Sequence, residues 1–193
     1  QMQSNYSVGL CAPNHSVGYW DIARDYFGSA SNISLYKSPK VLLQKISLDP
    51  SFIGIFPHPS NDYNSDWWKN IGIGSNSKTN IIARLPYDGK SEAQFEELEA
   101  VAVSSFPSEF SKRDRSWIII EFNERKSKDL LIDTVNKMGM SGDILSNIDQ
   151  GENIFLYLID VKGFFETGTL EFDKFINKDK NLVSIRSIGS YAI

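Results

Sequence analysis

The chain has 193 residues and a mass of 21.8 kDa, with 41% hydrophobic and 23% charged residues; that suffices for one large domain or two small ones and excludes fibrous, collagenous and disordered classes. With 20 basic and 24 acidic side chains the formal charge is -4, and the longest basic cluster is the short Lys112-Arg113-x-Arg115 run, so no nucleic-acid partner is expected. The single cysteine, Cys11, makes no internal disulfide and no thiolate cluster, and no apolar run approaches the ~20 residues that cross a bilayer; a cytoplasmic protein without membrane association is the expectation.

The start has neither the basic nor the apolar region of a leader. It lacks an initial Met and reaches a strand by Val8, so the chain is expected to be a C-terminal fragment of a longer protein. Residues 7–10 read as a short strand. Tyr19, Ile22, Ala23, Tyr26 and Phe27 then recur at helical spacing before Gly28, an amphipathic helix with a glycine cap. Residues 33–36 alternate as a strand. Ser38-Pro39 is an N-cap with proline at the first helical position, and Val41, Leu42, Leu43 and Ile46 continue that helix. Residues 52–56 form an apolar strand. The order β-α-β-α-β predicts a three-layer domain on a mostly parallel sheet.

Residues 57–77 hold three loop-forming clusters around Asp66-Trp67-Trp68. Residues 80–85 and 100–104 read as strands on either side of an acidic segment, 92–99, that predicts a helix with a solvated face. Residues 107–115 combine proline, serines and charges and mark a linker, dividing the chain into domains over 1–106 and 116–193. In the second domain, 117–122 is a strand. Ser127 caps a helix that carries Leu131, Val135 and Met138 on one face and ends at Gly139; 143–148 and 154–161 are strands joined by a turn at 149–151. Phe172, Phe175 and Ile176 mark a second helix and 182–188 a last strand. The sum, β-α-β-β-α-β, is the α+β ferredoxin-like unit.

Few motifs carry chemistry. Gly72-Ile73-Gly74-Ser75-Asn76-Ser77-Lys78-Thr79 imitates a phosphate loop, but Ser77 replaces the second glycine, no apolar strand leads in and a strand, not a helix, follows. Cys11-x-x-x-His15 lacks further ligands at a metal-binding spacing, and no G-x-S-x-G elbow supports a serine hydrolase, so no metal and no cofactor are expected. His15 and His58 both follow strands, on the rim where open α/β sheets bind ligands, and Ser16, Ser60 and Asn61 share that rim. The alternative is that 57–59 is only a stiff turn and His15 an exposed loop residue. Trp67-Trp68 reads either as a stacking platform or as a lid packed over a small core, the latter being preferred.

The N-terminal half resembles prephenate dehydratase. Members of that family open with a strand, a Gly-Pro-Glu-Gly-Thr loop and a helix ending in Phe-Gly; here stand Ala12-Pro13-Asn14-His15-Ser16 and Tyr26-Phe27-Gly28, and the Pro-x-Glu-Asn-Ser loop becomes Pro57-His58-Pro59-Ser60-Asn61. The last 80 or so residues resemble an ACT domain, through Tyr157-Leu158-Ile159-Asp160-Val161-Lys162-Gly163 and the ending Ile188-Gly189-Ser190-Tyr191. Closer still is a group of bacterial chorismate mutase proteins with a dehydratase-like tail, which share Tyr19-Trp20-Asp21-Ile22-Ala23-Arg24-Asp25, the paired Trp67-Trp68 and Ile81-Ile82-Ala83-Arg84-Leu85-Pro86.

The resemblance implies a single dehydratase lobe followed by an ACT-like domain, with a helical mutase segment expected before Gln1. The family's Thr-Arg-Phe motif falls on Ala83-Arg84-Leu85, which keeps an arginine able to hold a carboxylate and loses the threonine that meets the leaving hydroxyl. The effector motifs fall on Ser146-Asn147-Ile148-Asp149 and Lys128-Asp129-Leu130, so Leu130, Ser146 and Asn147 are the effector-binding candidates. The function implied is a non-catalytic regulatory or oligomerisation tail in phenylalanine biosynthesis, homodimeric through the ACT-like domain. Two alternatives stay open. One is a minimal prephenate dehydratase whose cleft a dimer mate completes. The other is a module binding prephenate, phenylalanine or a similar aromatic carboxylate with His15, Ser16, His58, Ser60, Asn61, Trp67 and Arg84.

Overall fold

Val8 and Leu10 place two fully buried side chains on one face of a short strand, β1 (Ser7–Leu10), and Gly9 leaves the opposite face bare. The fold is that of a computed structural model, which describes residues 6–12, 16–28, 31–60, 65–87, 98–169 and 179–193. The chain divides into two compact units, 1–108 and 109–193.

In the first unit, helix α1 (Ser16–Phe27) ends as expected at Gly28, whose φ of 89° a side chain would disfavour. Strand β2 (Asn32–Leu35) leads to α2 (Pro39–Leu48), where Ser38 Oγ accepts from Val41 N at 3.4 Å and Leu42, Leu43 and Ile46 are buried. All six residues of β3 (Phe52–Pro57) are buried. Two short 3-10 turns, Trp67–Asn70 and Gly74–Asn76, precede β4 (Asn80–Leu85) and β5 (Ala100–Ser104).

The strand order is β2-β1-β3-β5-β4. β1 pairs in parallel with β2 and β3, whereas β5 is antiparallel to both β3 and β4. The sheet is therefore mixed: β1 to β4 run one way and β5 the other. No α-helix separates β3 from β4 among the described residues, so the helical crossovers that keep β1 to β3 parallel stop there.

The two helices lie on opposite faces. α1 packs Tyr19, Ile22 and Ala23 against Val8, Leu10, Ile53, Ile55 and Ala102. On the other face Gly9 and Gly54 stand side by side in register, and α2 sits directly on them. A Cβ at Gly54 would lie 2.4 Å from Ile46 Cδ1, and one at Gly9 would lie 2.4 Å from Leu42 Cδ1, so the bare backbone sets how closely this helix approaches. Of the acidic segment expected to be helical, 92–97 lies outside the described residues. Leu98 and Glu99 are not helical.

The second unit contains β6 (Asp114–Phe122), α3 (Lys128–Lys137), β7 (Gly142–Asp149), β8 (Phe155–Lys162), β9 (Gly168–Thr169) and β10 (Leu182–Ala192). β10, β6, β8 and β7 form an antiparallel sheet in that order, and β9 pairs with β10. α3, capped by Ser127 and closed at Gly139, packs Leu131, Val135 and Met138 onto Ile118, Ile120, Phe122 and Ile159. The second helix expected around Phe172, Phe175 and Ile176 lies outside the described residues.

Two strands run three or more residues further than expected. β6 begins at Asp114, inside the stretch read as a linker, because its charges have internal partners: Asp114 Oδ1 accepts from Ser111 Oγ at 2.8 Å, and Arg115 Nε donates to Asp160 Oδ1 at 2.9 Å. β10 runs on to Ala192 rather than stopping at Ile188. An irregularity between Ser187 and Ser190 absorbs Gly189, after which Ser190 Oγ lies 2.6 Å from Ser116 Oγ and Tyr191 OH donates to Asp160 Oδ2 at 2.6 Å.

Candidate functional site

Because β5 is reversed, its start lies beside the ends of β3 and β4. Ala100 pairs with Pro57 on one side and Leu85 on the other. This register brings three charged or titratable side chains together: His58 just after β3, Arg84 near the end of β4 and Glu99 just before β5. Arg84 Nη2 donates to both carboxylate oxygens of Glu99, at 2.7 and 2.8 Å. His58 N donates to the Glu99 carbonyl at 2.8 Å, and His58 Nδ1 lies 3.8 Å from Glu99 Oε2.

His58 is only 2% exposed. Ser60 N donates to its Nδ1 at 3.2 Å and Ser60 Oγ lies 2.7 Å from the same atom, so Nδ1 is the acceptor and the proton of the neutral ring sits on Nε2. Burial first, and then the positive charge of Arg84, hold the imidazole down from its ordinary 6.5 to about 4, against an upward pull from Glu99. The ring is neutral at physiological pH.

Of the rim residues singled out in the sequence, His58 and Ser60 are joined directly, and Arg84 reaches them through Glu99. Ser16 is the first residue of α1, while His15 and Asn61 lie outside the described residues. Trp67 is not an open platform. It is 2% exposed, stacks on Phe56 with centroids 4.5 Å apart and donates its Nε1–H to the Pro57 carbonyl at 3.2 Å. The preferred reading of the tryptophan pair as packing over a small core describes it better, since a stacking ligand would first have to displace Phe56.

Glu99 is the residue that sequence reasoning misses. Helical periodicity puts it on the solvated face of an acidic helix, because i, i+4 logic cannot see a strand register formed across 15 residues. The one local signal is its position, an acid placed directly before the apolar strand 100–104. The phosphate-loop imitation is used up internally: Thr79 Oγ1 donates to the Asn76 carbonyl at 2.7 Å and accepts from Gly72 N at 3.2 Å. Cys11 is buried, and burial pushes its thiol up to about 11, so it is no nucleophile at neutral pH. Among the described residues no three His, Cys, Asp or Glu side chains group as a metal site, and no helix is long and apolar enough to cross a membrane.

The effector candidates fall on two elements of the second unit. Leu130 is exposed near the start of α3, its N–H bonded to Ser127 Oγ at 3.3 Å. On β7, Ser146 stands opposite Leu158 and Asn147 opposite Tyr157. Successive strand residues face opposite sides, and Tyr157 belongs to the core under α3, so Asn147 shares the α3 side and Ser146 does not. One ligand on one face meets only one of them.

Comparison with known proteins gives a fold and no family: no family model matches the chain, and no curated protein matches it. Among solved structures it is similar to a prephenate dehydratase in complex with L-Phe from Arthrobacter aurescens, with a TM-score of 0.62 at 10% identity over 97% of this chain and 90% of that one. It is similar to the prephenate dehydratase of Staphylococcus aureus subsp. aureus Mu50, with a TM-score of 0.57 at 10% identity over 96% of this chain and 99% of that one. A quorum quenching acylase, GqqA, matches with a TM-score of 0.62 at 7% identity over 96% of this chain and 94% of that one. The chain has a prephenate dehydratase-like fold. At such identities the likeness speaks to the fold alone.

Proposed function

We propose that this chain is a regulatory or oligomerisation region, without dehydratase chemistry of its own, of a protein of aromatic amino-acid biosynthesis. On this reading 1–106 is a prephenate dehydratase-like lobe, 107–113 a linker and the part from β6 onward, 114–193, an ACT-like domain through which the protein forms a homodimer, in a parent that also carries a chorismate mutase segment. The order β10-β6-β8-β7, which with the two-residue β9 set aside is fourth-first-third-second within its unit, supports the ACT-like assignment. The L-Phe named with the Arthrobacter dehydratase makes phenylalanine the first effector to test, at Leu130 and Asn147 on the α3 side or at Ser146 on the other.

The observation that carries the non-catalytic reading is the pairing of Arg84 with Glu99. Prephenate is a dicarboxylate. Removing its hydroxyl calls for cations that hold two carboxylates and an acid that protonates the leaving group. Here Arg84 is paired with an internal carboxylate, so by exchange it can hold at most one of the two, and the imidazole beside it is buried and neutral. Ala83 stands where the resemblance places the threonine that meets the hydroxyl.

Incubating the chain with prephenate and following phenylpyruvate tests this. The expected result is product formation no faster than in buffer. Turnover above that rate that is lost in Arg84→Ala overturns the reading and establishes the minimal dehydratase instead.

A further inference from the structure

Arg84 and His58 face the same carboxylate from two sides. Glu99 lies 2.7 Å from Arg84 Nη2 and 3.8 Å from His58 Nδ1, so a modest side-chain rotation exchanges one partner for the other. Its main chain need not move, because its carbonyl stays bonded to His58 N at 2.8 Å. The Arg84 side chain is 34% exposed against 16% for Glu99, which leaves the guanidinium within reach of a solute.

Charge balance governs how the cluster responds to a second carboxylate. Arg84 and Glu99 neutralise one another beside the neutral ring of His58. An added anion brings one more negative charge to these partly buried groups, and a proton on His58 offsets it. We propose that Glu99 is an exchangeable internal counter-ion: a small organic carboxylate displaces it from Arg84, Glu99 turns to His58, and the imidazole takes up one proton.

The charged groups facing His58 among the described residues are Arg84 from β4 and Glu99 from the segment entering β5. Ser60 contributes a neutral hydroxyl, and Pro57 and Trp67 bring no charge. Bound ligand cancels the cation that holds the ring near 4 and hands it an anion instead, so both changes favour the protonated ring. The inference goes beyond the proposed function: it takes up the alternative in which Arg84 and the rim bind an aromatic carboxylate, and it needs no dehydration.

The test is calorimetric titration of the full chain with phenylacetate, at one pH near 6, in two buffers of different ionisation enthalpy. The expected result is binding with uptake of up to about one proton, and an affinity that tightens by up to about tenfold per pH unit between pH 7 and 5, where the probe stays ionised. Glu99→Gln removes the competitor, so it binds phenylacetate several-fold more tightly at pH 7.5 and takes up no proton, whereas Arg84→Gln loses binding. Thermal melts establish that both variants fold, and the wild-type buffer pair decides without either. Absence of heat in the wild type, binding without proton uptake, or binding that survives in folded Arg84→Gln overturns the proposal. Phenylpyruvate formed from prephenate overturns only the non-catalytic reading and leaves proton-coupled binding standing.

Discussion

His58 makes the first unit sensitive to acid. Its imidazole has an ordinary value of 6.5 when the chain is unfolded and about 4 when folded, so between these values the unfolded chain binds a proton that the folded chain refuses. Stability from this residue is complete above about pH 6.5, falls as the pH drops and stops falling near pH 4, a loss of the order of 3 kcal/mol. Urea unfolding of the wild type and His58→Gln between pH 7.5 and 4.5 measures it: the gap between the two proteins should shift by a few kcal/mol in favour of the variant toward acid. Parallel curves would refute the assignment. The position of His58 after a strand was visible in the sequence, and the resemblance singled out Arg84 for a ligand's carboxylate, whereas the carboxylate it meets in the structure is internal. The acid that joins them was not, since only strand register brings Glu99 to either residue.

At the scale of elements, the seat of α2 on the sheet is the most exacting fit. Ile46 Cδ1 occupies the space that a side chain at position 54 would need. Gly54→Ala therefore overpacks the interface and should cost about 1–3 kcal/mol in urea unfolding. In an Ile46→Val background, where that methyl is gone, the same change should cost distinctly less. Equal costs in both backgrounds would show that α2 does not rest on this strand as described. Elements with local signals were legible: Ser38-Pro39 starts α2, Gly28 ends α1, and alternation or apolar runs mark β1, β3, β6 and β8. The extent of β10 was not, because Gly189 and Ser190 break the strand pattern while Ser116 and Asp160, which hold its far end, lie 74 and 31 residues away. Strand β9 is too short to carry a pattern at all.

At the scale of the whole chain, one fold accommodates proteins named as dehydratases and one named as an acylase, at 7–10% identity. Architecture alone therefore assigns no reaction, and the chemistry has to be argued from Arg84, Glu99 and His58. The sole thiol of the chain, on Cys11 at the end of β1, has a use that its inertness creates. Shielded in the core and held protonated by burial, it should react with an aromatic disulfide reagent only in those molecules whose first unit has momentarily opened. The coloured thiolate released then counts opening events without any label being engineered. Its rate should lie orders of magnitude below that of the urea-unfolded chain and fall further as phenylacetate occupies the rim. Fast labelling in native buffer would mean that the first unit opens readily, and an unchanged rate with phenylacetate would mean that the probe does not steady it. One sulfhydryl thus serves as a built-in clock for the half of the molecule in which a ligand is expected.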